Sequence, residues 1–250
     1  KAQEVGAEYL ATGHYARIAF DQGRNRYVLQ KGIDTSKDQS YALYHLNQHT
    51  LAHFLMPLGE YTKVQTREMA REIGLAVADK PDSQEICFVP DDDYKRFLED
   101  RAPGLLKPGN FVNLQGEIIG RHQGLPLYTV GQRKGLGIAA GRPLYVVALD
   151  YERNEVILGE NQDVFASAFV AHDLNWITLD RLEAPFSAQV KIRYGAKEST
   201  AFIEPLGEDK VLVTFKEPQR AITPGQSAVF YEQDTVIGGG IIEKVKKDER

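Results

Sequence analysis

Along SAQVKIRY the apolar residues Ala188, Val190, Ile192 and Tyr194 alternate with Gln189, Lys191 and Arg193, the period-two mark of a strand with one buried face. TAFIEPL, KVLVTF, SAVFYE and TVIGGGIIEKV repeat strand-like runs at even spacing, which predicts a small β-barrel or sandwich from about residue 166 to 250. Between 93 and 165 the runs NFVNL, EIIG, LPLYTV, PLYVVAL and EVILG are short and punctuated by glycine, which predicts a small central domain. The front reads differently. KAQEVGA looks like a helix end closed by Gly6, and EYLAT like a short buried strand running into Gly13 and His14. YARIAF and RYVLQK predict a hairpin around DQGRN, and Asp34 or Ser36 would cap the helix that follows. Thr62 and Gln65 predict a capping box before a helix carrying Val64, Met69, Ala70 and Ile73 and closed by Gly74. Tyr94, Phe97 and Leu98 mark a further helix. A strand arriving straight after a helix end places residues 1–92 inside an α/β domain, so the fold class is α/β plus β.

Composition narrows the classes. At 250 residues, 42% apolar and 26% charged, the chain is globular in type, and a mean hydropathy of −0.37 without a long apolar run gives no membrane span. No apolar signal region follows the first residues, and the single cysteine, Cys87, cannot form an internal disulfide, so the expectation is a cytoplasmic protein. The net charge of −5 argues against bulk nucleic-acid binding. That charge is local, because residues 79–100 carry eight acids against three bases and account for all of it.

Several residue groups carry candidate chemistry, each with a bland alternative. Cys87, between Ile86 and Phe88, reads either as a small buried hydrophobe or, with DSQEI upstream in a polar, proline-punctuated loop, as an exposed reactive thiol. Gly13 and His14 stand at a strand end, where open α/β sheets bind ligands, or simply form a tight turn. Lys37, Asp38 and Gln39 suit RNA or phosphate contacts, or an ordinary solvated cap. TVGQRKGLG sets Arg133 and Lys134 among glycines without the spacing of a phosphate-binding loop. His45, His49 and His53 recur every four residues, and with no further ligand motif nearby they read as a polar helix face.

Taken together and in order, ATGHYARI, SKDQSYALYHL, KPDSQEICFV, GLPLYTVGQRKGLGI and KIRYGA closely resemble the tRNA-specific 2-thiouridylase family, over nearly the whole chain. The resemblance implies a Rossmann-like PP-loop ATPase domain in residues 1–92, the central domain in 93–165, and a tRNA-contacting barrel in 166–250. It implies a sulfurtransferase that uses ATP, with Mg²⁺ beside it, to adenylate the C2 oxygen of the wobble uridine (position 34). A persulfide sulfur from a sulfur-relay partner protein then replaces that oxygen and yields 2-thiouridine. Cys87 is the implied persulfide carrier, and an upstream cysteine is its implied disulfide partner. Gly13 matches an ATP contact. His14, Lys37, Asp38, Gln39, Arg193, Tyr194 and Gln226 match tRNA contacts. No resident metal and no membrane association are implied.

One departure stands out. The family's SGGxDS pyrophosphate loop and its second cysteine do not occur in these 250 residues. The expectation is therefore a C-terminal fragment, beginning inside the catalytic domain and unable to adenylate or thiolate unaided. Two rival readings are a stand-alone persulfide carrier and a non-catalytic RNA-binding module.

Overall fold

A computed structural model of the chain describes residues 2–80, 89, 93–102 and 104–246, arranged as two compact units. One unit combines residues 1–80 with 167–217 and 223–246; the other holds 81–166 with 218–222.

The first unit opens with a short 3-10 turn, Gln3–Val5, ended by Gly6 at φ 74° rather than by an α-helical end. Strand β1, Leu10–Ala11, is exposed, not buried. The hairpin forms as expected from β2, Ala16–Asp21, and β3, Arg26–Lys31, with Asn25 in its turn at φ 50°. Helix α1, Ser40–Leu43, and helix α2, Gln48–His53, lead into β4, Phe54–Leu55, which pairs with β1 in a two-residue parallel ladder. So short a ladder gives β1 little to pack on.

Helix α3, Lys63–Glu72, begins with the expected reciprocal capping box, with Thr62 N donating to Gln65 Oε1 at 2.8 Å. Gly74, at φ 73°, ends it. Asp34 serves a different helix from the one expected. Its Oδ2 accepts Lys63 N at 2.9 Å and so steadies α3, while Asp38 accepts Ser40 N at the start of α1.

In the second unit, α4, Tyr94–Arg101, starts at Asp93, whose carboxylate accepts Arg96 N at 2.9 Å. Strands β5, Gly109–Val112, β6, Ile118–His122, β7, Tyr145–Asp150, and β8, Glu155–Gly159, follow in the sheet order β6-β5-β8-β7, with β5 and β8 parallel. Phe111, Leu125, Leu136, Val146, Val156 and Leu158 form its core. His122 is buried there. Its Nδ1 accepts Gly124 N, so Nε2 carries the hydrogen donated to Asn154 O, and burial pushes its pKa down.

The remaining strands are β9, Phe165–Trp176, β10, Phe186–Lys191, β11, Ser199–Pro205, β12, Val211–Arg220, β13, Ser227–Glu232, and β14, Thr235–Lys246. They run β13-β10-β11-β12-β9-β14, and a β13–β14 pairing closes the ring into a barrel, the architecture the resemblance implies, with six strands. The front hairpin extends the same sheet, because Thr235 of β14 pairs with Gln30 of β3. Ala16, Leu29, Tyr41, Leu51 and Met56 from the front share one core with Ile177, Val229, Tyr231 and Val236 from the barrel. Burying these side chains stabilises the docking by roughly 1.5–3 kcal/mol for each large one.

Candidate functional site

Strand β10 places Ala188 and Val190 inward, as the alternation predicts, and ends at Lys191; Ile192, just past its end, is also buried. A turn follows, closed by Ala196 N donating to Arg193 O. The alternation therefore does not reach Tyr194, which is 52% exposed instead of buried with Val190. Arg193 is exposed beside it.

Chain segments far apart in sequence meet here. Asp38 is buried, and its Oδ1 accepts Gly32 N at 3.2 Å and Ser40 N at 3.1 Å. Its Oδ2 accepts the Ser40 hydroxyl at 2.8 Å, and Ser40 Oγ lies 3.2 Å from Tyr231 OH on β13. This carboxylate ties the 37–41 segment to the barrel; its oxygens are occupied inside the protein. Tyr41 OH donates to Ser227 O at 2.8 Å, next to the exposed Gln226, and burial raises the Tyr41 hydroxyl pKa to about 12. The Tyr41 and Tyr194 rings meet edge to face with centroids 6.1 Å apart. Lys191 Nζ lies 5.8 Å and 5.7 Å from those two ring centres, within cation–π range. Tyr194's own pKa is raised by burial and then by Asp38, while Lys37 lowers it, so the two ends of the candidate set sense each other's charge.

Gln39 makes the next link. Its side-chain Oε1 accepts Tyr15 N and its own N–H donates to Tyr15 O, both at 3.0 Å, which fixes the strand end that carries Gly13 and His14. His14 Nδ1 lies 3.0 Å from Thr12 Oγ1. A Cβ built on Gly13 would meet only Leu58 Cδ1 among the described residues, at 3.6 Å, an ordinary contact that leaves the face above Gly13 open. Gly59 differs, because a Cβ there would sit 1.9 Å from Ala16 O.

Thus Asp38, Ser40 and Tyr231, and Ser227, Tyr41, Tyr194 and Lys191, are linked by hydrogen bonds and ring contacts. Lys37 and Gln39 flank Asp38 in the chain, Gln226 flanks Ser227, Arg193 flanks Tyr194, and Gly13 and His14 lead into Tyr15, which Gln39 holds. Cys87 lies outside the described residues. Ser40, Tyr41, Lys191 and Tyr231 were not singled out from sequence. Lys191 had a signal, since it shares the polar face of SAQVKIRY with Arg193; Tyr231 had none. His45 lies outside α2, and the described residues hold no group of three or more His, Cys, Asp or Glu fit for a metal. No helix among them is long and apolar enough to cross a membrane.

Three family models match this chain in order: the tRNA methyl transferase HUP domain over residues 1–91, the tRNA methyl transferase PRC-barrel domain over 95–160, and the aminomethyltransferase beta-barrel domain over 166–242. Taken in order, these matches give the class: a Rossmann-like HUP domain, a PRC-barrel domain and a C-terminal barrel domain. Over 98% of its length the chain is 54% identical to the tRNA-specific 2-thiouridylase MnmA of Carboxydothermus hydrogenoformans, covering 67% of that protein. It is also 54% identical to the tRNA-specific 2-thiouridylase MnmA of Acetivibrio thermocellus, over 97% of this chain and 68% of the relative. The chain belongs to the tRNA-specific 2-thiouridylase family.

Proposed function

We propose that this chain takes part in ATP-dependent conversion of the wobble uridine (position 34) of tRNA to 2-thiouridine. In this reading residues 1–92 serve nucleotide and persulfide, 93–165 form a central domain, and 166–250 hold the tRNA. The observation that carries it is that Asp38 and Tyr41 bring the segment holding Lys37 and Gln39 against the barrel beside Tyr194 and Ser227, the neighbour of Gln226.

Arg193 and Lys37 offer charge to phosphates, and the exposed Tyr194 ring offers a stacking face. Asp38 orients the segment from within rather than facing an anionic strand. Local cations suffice here despite the acidic total, because folded tRNA is read largely through shape and backbone. Gly13 fits a nucleotide, since no described residue crowds the space its missing Cβ leaves. ATP, accompanied by Mg²⁺, supplies activation: the uracil C2 oxygen takes the adenylyl group, pyrophosphate departs, and the oxygen becomes a leaving group.

Cys87 holds the sulfane sulfur delivered by a relay protein. Its terminal sulfur attacks C2 as AMP leaves. A second thiol then attacks Cys87 Sγ, forming a disulfide and leaving the transferred sulfur on C2. The persulfide is more acidic than its parent thiol, so an acidic stretch of sequence around Cys87 is compatible with this role.

Two measurements test this reading. In tRNA titrations Arg193→Ala should weaken binding by about 1–3 kcal/mol and lower the salt slope by roughly one phosphate's worth. Incubated with a persulfide donor, Cys87 should gain the mass of one sulfur atom, and Cys87→Ser should not. A chain that binds tRNA but never takes up sulfur would be an RNA-binding module and would overturn the proposal.

A further inference from the structure

The segment 129–146 in the second unit carries charge that the proposed function leaves unused. Gln132 staples it, with Oε1 accepting Thr129 N and Nε2 donating to Lys134 O, both at 3.0 Å. Gly131 N donates to Val146 O at 2.7 Å, Val146 N donates to Gln132 O at 2.9 Å, and Arg220 Nη2 holds Gly131 O at 2.9 Å. Gly131 sits at φ 86° with Ala221 and Arg220 closer than a Cβ would permit, so only glycine passes there. Leu136 plugs the loop into the core.

A backbone so fixed leaves Arg133 and Lys134 projecting into solvent, with no ion-pair partner among the described residues. Beside them lies an open cleft of about 660 Å³, within the size range of ligand sites. Arg133 and Arg142 line it, Ile138, Pro143 and Leu144 provide apolar wall, and no carboxylate among the described residues lines it. Arg142 is aimed by Glu160, which lies outside the lining and accepts from Arg142 Nη1.

Resting on the tRNA reading above, we propose that this cleft takes one unpaired nucleotide of the bound RNA strand. The phosphate lies between the Arg133 and Arg142 guanidiniums, and the ribose and base lie against Pro143 and Leu144. Two planar guanidiniums suit a phosphate's paired oxygens. An apolar wall suits a nucleobase that has left its stack. Lys134, on the same staple, meets the next phosphate of a continuing strand, a contact that a free mononucleotide does not use.

The test uses the 250-residue chain with labelled tRNA across a range of salt concentrations, comparing the parent with Arg133→Ala, Arg142→Ala and Arg133→Glu. Each alanine variant should raise Kd roughly tenfold. The slope of log K against log salt should become shallower by about 0.7–0.9 for each phosphate no longer neutralised, and Arg133→Glu should be worse than Arg133→Ala. Unchanged thermal unfolding of Arg133→Ala separates weakened RNA binding from damage to the fold. Unchanged affinity and slope in all three variants overturn the inference, even where Arg193→Ala weakens binding. Uridine monophosphate perturbing Arg133 while tRNA affinity ignores all three variants would make this a free-nucleotide site and overturn it equally. A parent chain that does not bind tRNA at all would instead bring down the functional reading on which the inference rests.

Discussion

Residues 15–56 and residues 63–80 lie close in sequence and carry similar apolar patterns, yet among the described residues only the first stretch packs into the core shared with the barrel. In α2 Leu51 is 1% exposed, and Tyr41, Tyr44 and Met56 near it are buried with barrel residues Ile177, Val229 and Tyr231. In α3 no residue is buried, and Val64 and Ile73 are 66% and 72% exposed. Both helices begin with good caps, Asn47 accepting Thr50 N and Thr62 accepting Gln65 N. Capping chemistry therefore sets where a helix starts, while its share of the core depends on what lies opposite. The β3–β14 pairing supplies a partner surface to one stretch only.

The largest expected effect pits one side chain from each stretch against the other. Leu51→Ala should lower unfolding stability by about 2–5 kcal/mol, the range for deleting a buried leucine where surroundings relax only partly. Val64→Ala should change it by no more than about 0.5 kcal/mol. Urea unfolding of the two variants decides, and equal losses would dissolve the comparison. Amide exchange extends it along the backbone. The amides of β3 and α2 should exchange as slowly as those of β13, and the amides of α3 far faster. Protection should therefore divide within the first eighty residues.

A smaller but still damaging change is Gly59→Ala. Its new methyl would collide with Ala16 O on β2, which is backbone and cannot rotate away. Overpacking of that kind costs about 1–3 kcal/mol or more. The loss should appear as faster exchange in the β2–β3 hairpin and no change in α3. Uniform loosening of both would mean that the hairpin's seating does not depend on Gly59.

What the sequence disclosed and what it hid follow the same division. The hairpin, the Thr62–Gln65 capping box and the Gly74 stop are local, written within a few residues, and they read correctly. The alternation in SAQVKIRY was legible up to Lys191, and extending it to Tyr194 failed because strand hydrogen bonding stops where the 193–196 turn begins. The apolar stripe of α3 matched the amphipathic pattern, but a pattern states which face wants cover, not whether anything covers it. Asp38, Ser40 and Tyr231 form one buried network across 191 residues of separation, and no local signal encodes such a meeting. The candidate site residues entered through short motifs that carry the family resemblance, whereas Tyr41 as the strut joining Tyr194 to Ser227 needed three dimensions.

The smallest expected effect on stability comes from Gly13→Ala, and the sign is what matters. Gly13 is exposed, its φ lies outside the left-handed region, and an added methyl would rest at ordinary distance on Leu58 Cδ1. Among the described residues, neither backbone strain nor packing therefore asks for glycine. Replacing a glycine with alanine where the conformation is permitted should stabilise a protein by about 0.4–1 kcal/mol, because the unfolded chain loses freedom. The chain thus carries a residue less favourable to folding than its own structure requires. On the proposed function the reason is a nucleotide that lies directly against this backbone, where a methyl would intrude. Gly13→Ala should then unfold at equal or slightly higher urea, keep its tRNA affinity, and fail in ATP-dependent 2-thiouridine formation by the intact enzyme, read as loss of the mercury-gel shift of tRNA. A variant that is stabilised and fully active would leave Gly13 without a nucleotide-binding role. A variant that is destabilised would show that packing around Leu58 does need the glycine, and the contrast with Gly59 would fail.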